Sequence, residues 1–108
     1  MLKKQYLKSR KVSKVTFEIP KNEFPEDIEI QNVNLVGEFN DWDITATPMK
    51  YLKKGAYQTI IELEPDSEYQ FRYLVNGEQW CNEWHADAYI PNGFGNDNCV
   101  VKTENGTS

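Results

Sequence analysis

Residues 69–77 read Tyr-Gln-Phe-Arg-Tyr-Leu-Val-Asn-Gly, and this stretch decides the fold class. Every second residue from Tyr69 to Val75 is aromatic or β-branched, which is the period of a strand with one buried face. The intervening positions, among them Arg72, then face away from the core. Asn76-Gly77 favours a tight hairpin turn, because both residue types tolerate a positive φ. A return strand over residues 79–82 is therefore predicted.

Short alternating segments continue on both sides of this hairpin. The other predicted strands are residues 15–19, 28–36, 57–63 and 98–102. Residues 38–56 and 85–97 are rich in Asn, Asp, Gly and Pro and are predicted to be irregular loops. There is no helical stripe of any length. Six or seven short strands separated by turn residues predict an all-β antiparallel sandwich.

The length of 108 residues suits a single domain with one modest core. We divide it into a basic N-terminal arm or edge strand (1–13), the sandwich (14–102) and a polar tail (103–108). Six of the 12 basic residues lie in the first 14 positions, and the remaining six with the 17 acidic residues give a net charge of −11. This acidic body argues against a nucleic-acid partner. The basic segment suits either an anionic partner or, as we favour, a solvated arm or edge strand.

Targeting signals and cysteine content indicate the cellular location to expect. Residues 1–20 lack the apolar run of a signal peptide, and no stretch has the length of a membrane span. A cytoplasmic location with no membrane partner is expected. Cys81 and Cys99 are too few for a disulfide framework, so free thiols are the simpler interpretation. A bridge between them stays open if their strands lie side by side.

Catalytic and cofactor motifs are missing from the sequence. The single histidine, His85, is separated from Cys81 by three residues, but the second pair of ligands that a zinc site needs is missing. No nucleotide-binding or nucleophile motif occurs. Asp41 and Asp43 lie among turn formers rather than in a predicted cleft, so we interpret them as turn residues. The prediction is a protein with no enzymatic activity, no cofactor and no metal.

The three tryptophans are the informative residues. Trp42 lies between turn formers, where both ligand contact and packing remain open. The predicted hairpin brings Trp80 back near Arg72 or Leu74, which suits a ligand platform or a cation–π pair that covers the sheet. An indole fits the apolar face of a sugar ring, and each stacked ring removes roughly 40 Å² of apolar surface, or about 1 kcal/mol.

Residues 33–42, Val-Asn-Leu-Val-Gly-Glu-Phe-Asn-Asp-Trp, resemble the signature of the family-48 carbohydrate-binding modules. These are the isoamylase N-terminal early-set domains, which include the glycogen-binding domain of the AMP-activated protein kinase β subunit. Residues 68–80 resemble the strand–hairpin–strand of that family, and residues 91–101 resemble its closing loop and last strand. The resemblance implies an immunoglobulin-like β-sandwich of the early-set type that binds α-1,4-glucans such as glycogen or starch.

The resemblance also implies a set of sugar-binding residues. Trp42 and Trp80 match the two tryptophans of the sugar platform, and Arg72 matches the basic residue that contacts hydroxyls. In the late loop, Phe94 matches an apolar residue that inserts against the sugar. The remaining candidates are asparagines that hydrogen-bond the glucan, Asn98 and, beside it, Asn96.

Two residues depart from the family pattern. Glu78 lengthens the hairpin by one residue and would be in a position to re-aim Trp80, whereas Trp84 matches no platform position and is predicted to pack. Most relatives of this type are fused to an enzyme of glycoside hydrolase family 13, and we expect a free-standing module here. The predicted function is non-catalytic binding of an α-glucan polysaccharide or maltooligosaccharide. The alternative is a structural domain that docks in trans on a family-13 or other glycogen-metabolism enzyme without binding sugar itself.

Overall fold

A computed structural model describes residues 2–93 and 95–103 and confirms the predicted all-β, immunoglobulin-like sandwich. The first sheet has the strand order β1-β2-β5-β4, and the second has the order β3-β6-β9-β8. A further strand, β7, pairs with β6 on the side that β9 occupies further along. The strands of the described residues are β1 (Leu2–Leu7), β2 (Val12–Pro20), β3 (Val33–Gly37), β4 (Lys50–Leu52), β5 (Ala56–Leu63), β6 (Ser67–Val75), β7 (Gln79–Cys81), β8 (Ala88–Pro91) and β9 (Asp97–Thr103).

The core lies between the two sheets and is built from alternate residues of facing strands. Phe17 of β2 and Phe71 of β6 are fully buried, and their ring centroids lie 5.1 Å apart in an edge-on contact. Tyr73 continues the same buried row on β6. Each such side chain contributes roughly 1.5–3 kcal/mol on burial. The alternation in residues 69–75 therefore assigned the core face of β6 correctly, although Tyr69 is only half-buried.

The predicted strand boundaries need correction in three places. Residues 28–32 are not part of β3, because side-chain atoms of Asn76 bind the backbone of this segment instead of a neighbouring strand. The two regions predicted to be irregular contain the short strands β4 and β8. Both are edge strands of three and four residues, too short to show a hydrophobic period.

The two cysteines are free thiols in the structure. Cys99 is buried between the sheets, and burial raises the pKa of its thiol to about 11. Burial also raises the pKa of the Cys81 thiol. Both groups are therefore protonated near neutral pH, which is the less reactive form.

The N-terminal segment forms β1, which pairs with β2 and lies at the edge of the first sheet. The last described residue, Thr103, ends β9, and the rest of the predicted polar tail lies outside the described residues. The described part of the chain contains no helix with the length and hydropathy of a membrane span.

Candidate functional site

An open groove of about 710 Å³ lies on the outer face of the second sheet. This volume is in the range of small-ligand sites, about 300–1,000 Å³. Five of the six predicted binding residues line it, so the fold brings them together, whereas Phe94 lies outside the described residues. The groove is lined by Glu38, Trp42, Gln70, Arg72, Trp80, Ile90, Pro91, Asn92, Asn96 and Asn98.

Trp42 reaches the groove through the loop that follows β3. Gly37 begins this loop where the backbone passes close to β6: a Cβ at this position would lie 2.6 Å from the Gln70 carbonyl oxygen and 2.8 Å from the Phe71 Cβ. Only glycine fits this space. Phe39 then turns inward, with its ring centroid 5.7 Å from that of Phe17. The loop is thus anchored to the core two residues after it leaves the sheet.

Asn40 fixes the shape of the loop with its side chain. Its Oδ1 accepts a hydrogen bond from the Gly37 amide at 3.0 Å, and its Nδ2 donates to the Leu35 carbonyl at 2.9 Å and the Thr47 hydroxyl at 3.1 Å. Asp41 and Trp42 follow, both with a φ of 57°, a left-handed conformation that is uncommon for residues with a side chain. The Trp42 amide donates to the Gly37 carbonyl at 2.8 Å, which closes the loop and leaves the indole 37% exposed.

Trp80 reaches the groove on β7. The strand register sets it directly opposite Leu74 of β6, so its side chain lies on the outer face. The guanidinium carbon of Arg72 lies 5.7 Å from the centre of the Trp80 ring, within cation–π range. The predicted approach of Trp80 to Leu74 and Arg72 is therefore confirmed. The indole remains 41% exposed, which leaves surface for a ligand.

The three-residue loop 76–78 connects β6 to β7. Val75 pairs with Gln79, so the extra residue Glu78 is taken up within the loop and does not change the face on which Trp80 lies. The Glu78 amide donates to the Val75 carbonyl at 3.1 Å, which closes the turn. The register thus leaves Trp80 opposite Leu74 with Glu78 present.

A chain of amide side chains forms the polar floor of the groove. Asn98 donates from Nδ2 to the Gln70 Oε1 at 3.0 Å, and Asn92 donates from Nδ2 to the Asn98 Oδ1 at 3.3 Å. The backbone amide of Asn92 also donates to the Asn96 carbonyl at 2.9 Å, which folds the loop before β9. Amides carry both donors and acceptors, so this floor suits a ligand rich in hydroxyl groups.

Glu38 is a lining residue that the sequence did not single out. Its Oε1 accepts a hydrogen bond from the Gln70 amide at 2.6 Å, at the point where the β3–β6 ladder ends. Gln70 itself lies on the outward parity of β6 together with Arg72, and this parity was the available signal for its place in the groove. Of the further lining residues, Pro91 and Asn92 lie in the stretch that resembles the closing loop of the family but were not singled out, and no pattern in the sequence indicated Ile90.

The third tryptophan contradicts its prediction. Trp84 was expected to pack, yet it is 68% exposed. It lies on the turn after β7 and lines a different, smaller depression with Phe24, Pro25 and Cys81. It was misjudged because a tryptophan is usually buried and because its turn has no strand parity to read.

The two aspartates beside Trp42 do not line the groove. Asp43 Oδ1 accepts hydrogen bonds from the Thr45 amide at 2.9 Å and the Thr45 hydroxyl at 3.0 Å, which lower the pKa of the Asp43 carboxyl. This is the geometry of an Asx turn, as the turn interpretation predicted.

Among the described residues, no three His, Cys, Asp or Glu side chains are grouped as a metal ion would require.

A small β-sandwich that exposes two indoles, a guanidinium and several amides in one open groove defines a ligand-binding module. Residues 29–90 match the family model Carbohydrate-binding module 48 (Isoamylase N-terminal domain), and the chain belongs to this family. The family consists of non-catalytic binding modules. The matched region contains Trp42, Arg72 and Trp80 and ends before the loop with Asn96 and Asn98. A search of the curated proteins found no match.

Proposed function

We propose that the protein binds α-1,4-glucan chains, such as those of glycogen or starch, in the groove between Trp42 and Trp80. The observation that carries the proposal is the convergence of two half-exposed indoles from distant parts of the chain on one polar groove. The membership of the carbohydrate-binding family supports sugar as the ligand.

The chemistry of the groove matches that of a glucan. A glucose ring has an apolar face, which an indole can cover, and a rim of hydroxyl groups that need donors and acceptors. Arg72 supplies donors, whereas Asn96 and Asn98 supply both. A contact with each tryptophan is worth about 1 kcal/mol by the area it covers, or roughly a fivefold change in affinity. A glucan that contacts both tryptophans gains from the two contacts together, because both stacked sugar rings belong to the same ligand.

Affinity electrophoresis in native gels containing glycogen tests this proposal. Glycogen is expected to retard the wild-type protein, and a Trp42→Ala/Trp80→Ala double variant is expected to run as in a glycogen-free gel. Trp84→Ala is the matched control, because it removes an even more exposed indole that lies outside the groove. All these substitutions leave the net charge unchanged, so mobility differences report binding alone. Equal retardation of wild type and double variant would exclude the groove as the site.

Two further comparisons sharpen the ligand class. A β-linked glucan such as soluble cellulose is expected to cause little retardation, because its straighter chain places successive rings differently on the two indoles. Phe94→Ala and Asn98→Ala are expected to weaken glycogen binding, since both positions are part of the proposed site. If wild-type protein is not retarded but a family-13 glucan enzyme retains it on a column, the docking alternative replaces this proposal.

A further inference from the structure

We propose that Asn82 is a positioning residue that holds the guanidinium of Arg72 over Trp80 so that its terminal amino groups face the ligand. This inference rests on the proposed sugar-binding function and adds to it a residue outside the groove lining. Asn82 follows β7, two residues after Trp80.

The side chain of Asn82 bridges two strands of the site. Its Oδ1 accepts a hydrogen bond from Arg72 Nε at 2.7 Å, and its Nδ2 donates to the Asp97 carbonyl at 3.1 Å. Arg72 lies on β6 and Asp97 begins β9, directly before Asn98. One amide therefore connects the basic residue, the strand of Trp80 and the strand of Asn98.

The contacts of Arg72 with Asn82 and with Trp80 restrict its guanidinium in two different directions. The bond from Nε fixes the rotation of the group about its long axis, and the Trp80 ring at 5.7 Å limits its movement away from the sheet. Of the five N–H donors of an arginine, the four on the terminal nitrogens have no partner among residues 2–93 and 95–103. These donors are available for the hydroxyl groups of a sugar in the groove.

A long side chain that is held in place before binding loses less conformational freedom when the ligand arrives. A free arginine above an indole would instead sample several rotamers, of which few point into the groove. Removal of the Asn82 amide is therefore expected to weaken binding by roughly three- to tenfold, which corresponds to the usual cost of immobilising one flexible side chain. Asn82 does not line the groove, so its effect is indirect. Its bond to the Asp97 carbonyl beside Asn98 offers a second route, which the double-variant cycle below separates from the route through Arg72.

The experiment combines an NMR measurement with maltoheptaose titration calorimetry. The Nε–H signal of Arg72 reports the anchor directly and without any sugar. Slow exchange of this proton with water is expected in the wild type, and fast exchange in Asn82→Ala. Asn82→Asp keeps an acceptor for Nε–H and is expected to retain slow exchange and an affinity within about twofold of wild type. Asn22→Ala changes an exposed asparagine outside the groove and serves as control.

A double-variant cycle then assigns the effect to Arg72. Asn82→Ala is expected to weaken maltoheptaose binding in the wild-type background and to have no effect in the Arg72→Ala background. Equal losses in both backgrounds, or weaker binding with an unchanged Arg72 signal, would overturn the inference. A wild type with slow Nε–H exchange but no maltoheptaose binding would instead overturn the proposed function and, with it, the purpose of the anchor.

Discussion

Trp42 and Trp80 lie in the same groove but are placed there by different structural means. Trp42 belongs to a loop whose backbone adopts two consecutive left-handed residues. Trp80 belongs to a strand, where the register of a hairpin fixes its face. In the loop, the position of the indole depends on local backbone shape. In the hairpin, it depends on the pairing of β7 with β6, which extends over three residue pairs.

Each of the two segments is nevertheless stabilised by an asparagine of its own, whose side chain makes three hydrogen bonds. Asn40 binds the backbone and a hydroxyl within its own loop. Asn76 binds the amides of Gln31 and Asn32 and the carbonyl of Glu29, a segment that is distant in sequence. The bonds of Asn40 are partly buried, whereas those of Asn76 are exposed. Buried bonds are the more costly ones to lose, so the Trp42 loop is the more sensitive of the two segments.

The largest expected difference between the two segments is at their glycines. Gly37→Ala places a Cβ within 2.8 Å of the Phe71 Cβ and closer still to the Gln70 carbonyl, and neither atom can rotate away. We expect a loss of about 3 kcal/mol in the free energy of unfolding. Gly77 of the hairpin has a φ of 73° and no atom within 4 Å of an added Cβ, so Gly77→Ala is expected to cost about 1 kcal/mol.

Urea unfolding followed by circular dichroism measures both losses. The two variants carry the same added methyl group, so each serves as the control for the other. An equal cost, or a larger one for Gly77→Ala, would show that the loop can move away from β6 and that tight packing does not fix Trp42.

The asparagines give the next largest effect. Asn40→Ala removes three partly buried hydrogen bonds and is expected to lower the free energy of unfolding by about 2 kcal/mol. Asn76→Gly removes the exposed bonds but tolerates the φ of 55° at that position, and a loss of about 1 kcal/mol or less is expected.

NMR of the indole N–H groups separates the two segments. Asn40→Ala is expected to shift the Trp42 signal and leave that of Trp80 in place, and Asn76→Gly is expected to do the reverse. Trp84, which is outside the groove, provides an internal reference in both spectra. If either substitution moves both groove signals equally, the two segments are coupled and the contrast between loop and hairpin is wrong.

The hairpin was the easier segment to predict from the sequence. Alternation along β6 and the Asn76-Gly77 pair depend on neighbouring residues, so the core face and the return strand followed directly. The Trp42 loop depends on contacts with β6 and Phe17 that no local pattern contains. Its role was suggested only by the family resemblance of residues 33–42.

Residues of the remaining groove wall were missed for a related reason. Ile90, Pro91 and Asn92 line the groove because the edge strand β8 pairs with β9, and a pairing between two short strands leaves no trace in their own residues. The prediction for Trp84 was wrong in the opposite sense, because the residue type predicts burial but the turn that carries it lies at the surface. The alternation along a strand shows which side chains share a face of the sheet. Which other strands and loops lie beside that face is determined only by the tertiary fold.

The smallest expected effect concerns Glu78, the residue that lengthens the hairpin. Its deletion leaves Asn76-Gly77 as a two-residue loop, and both residues already have the positive φ that such a turn needs. Val75 can then still pair with Gln79, so Trp80 stays opposite Leu74. We expect maltoheptaose affinity within about twofold of wild type, which is a change of less than about 0.5 kcal/mol.

Deletion of Gly77 instead of Glu78 is the matched control. This deletion moves Glu78 into the left-handed position of the glycine, which costs about 1–2 kcal/mol of stability. If the Glu78 deletion weakens binding as much as Trp80→Ala, the indole is aimed by the loop after all, and Trp80 then resembles Trp42 in depending on local backbone shape.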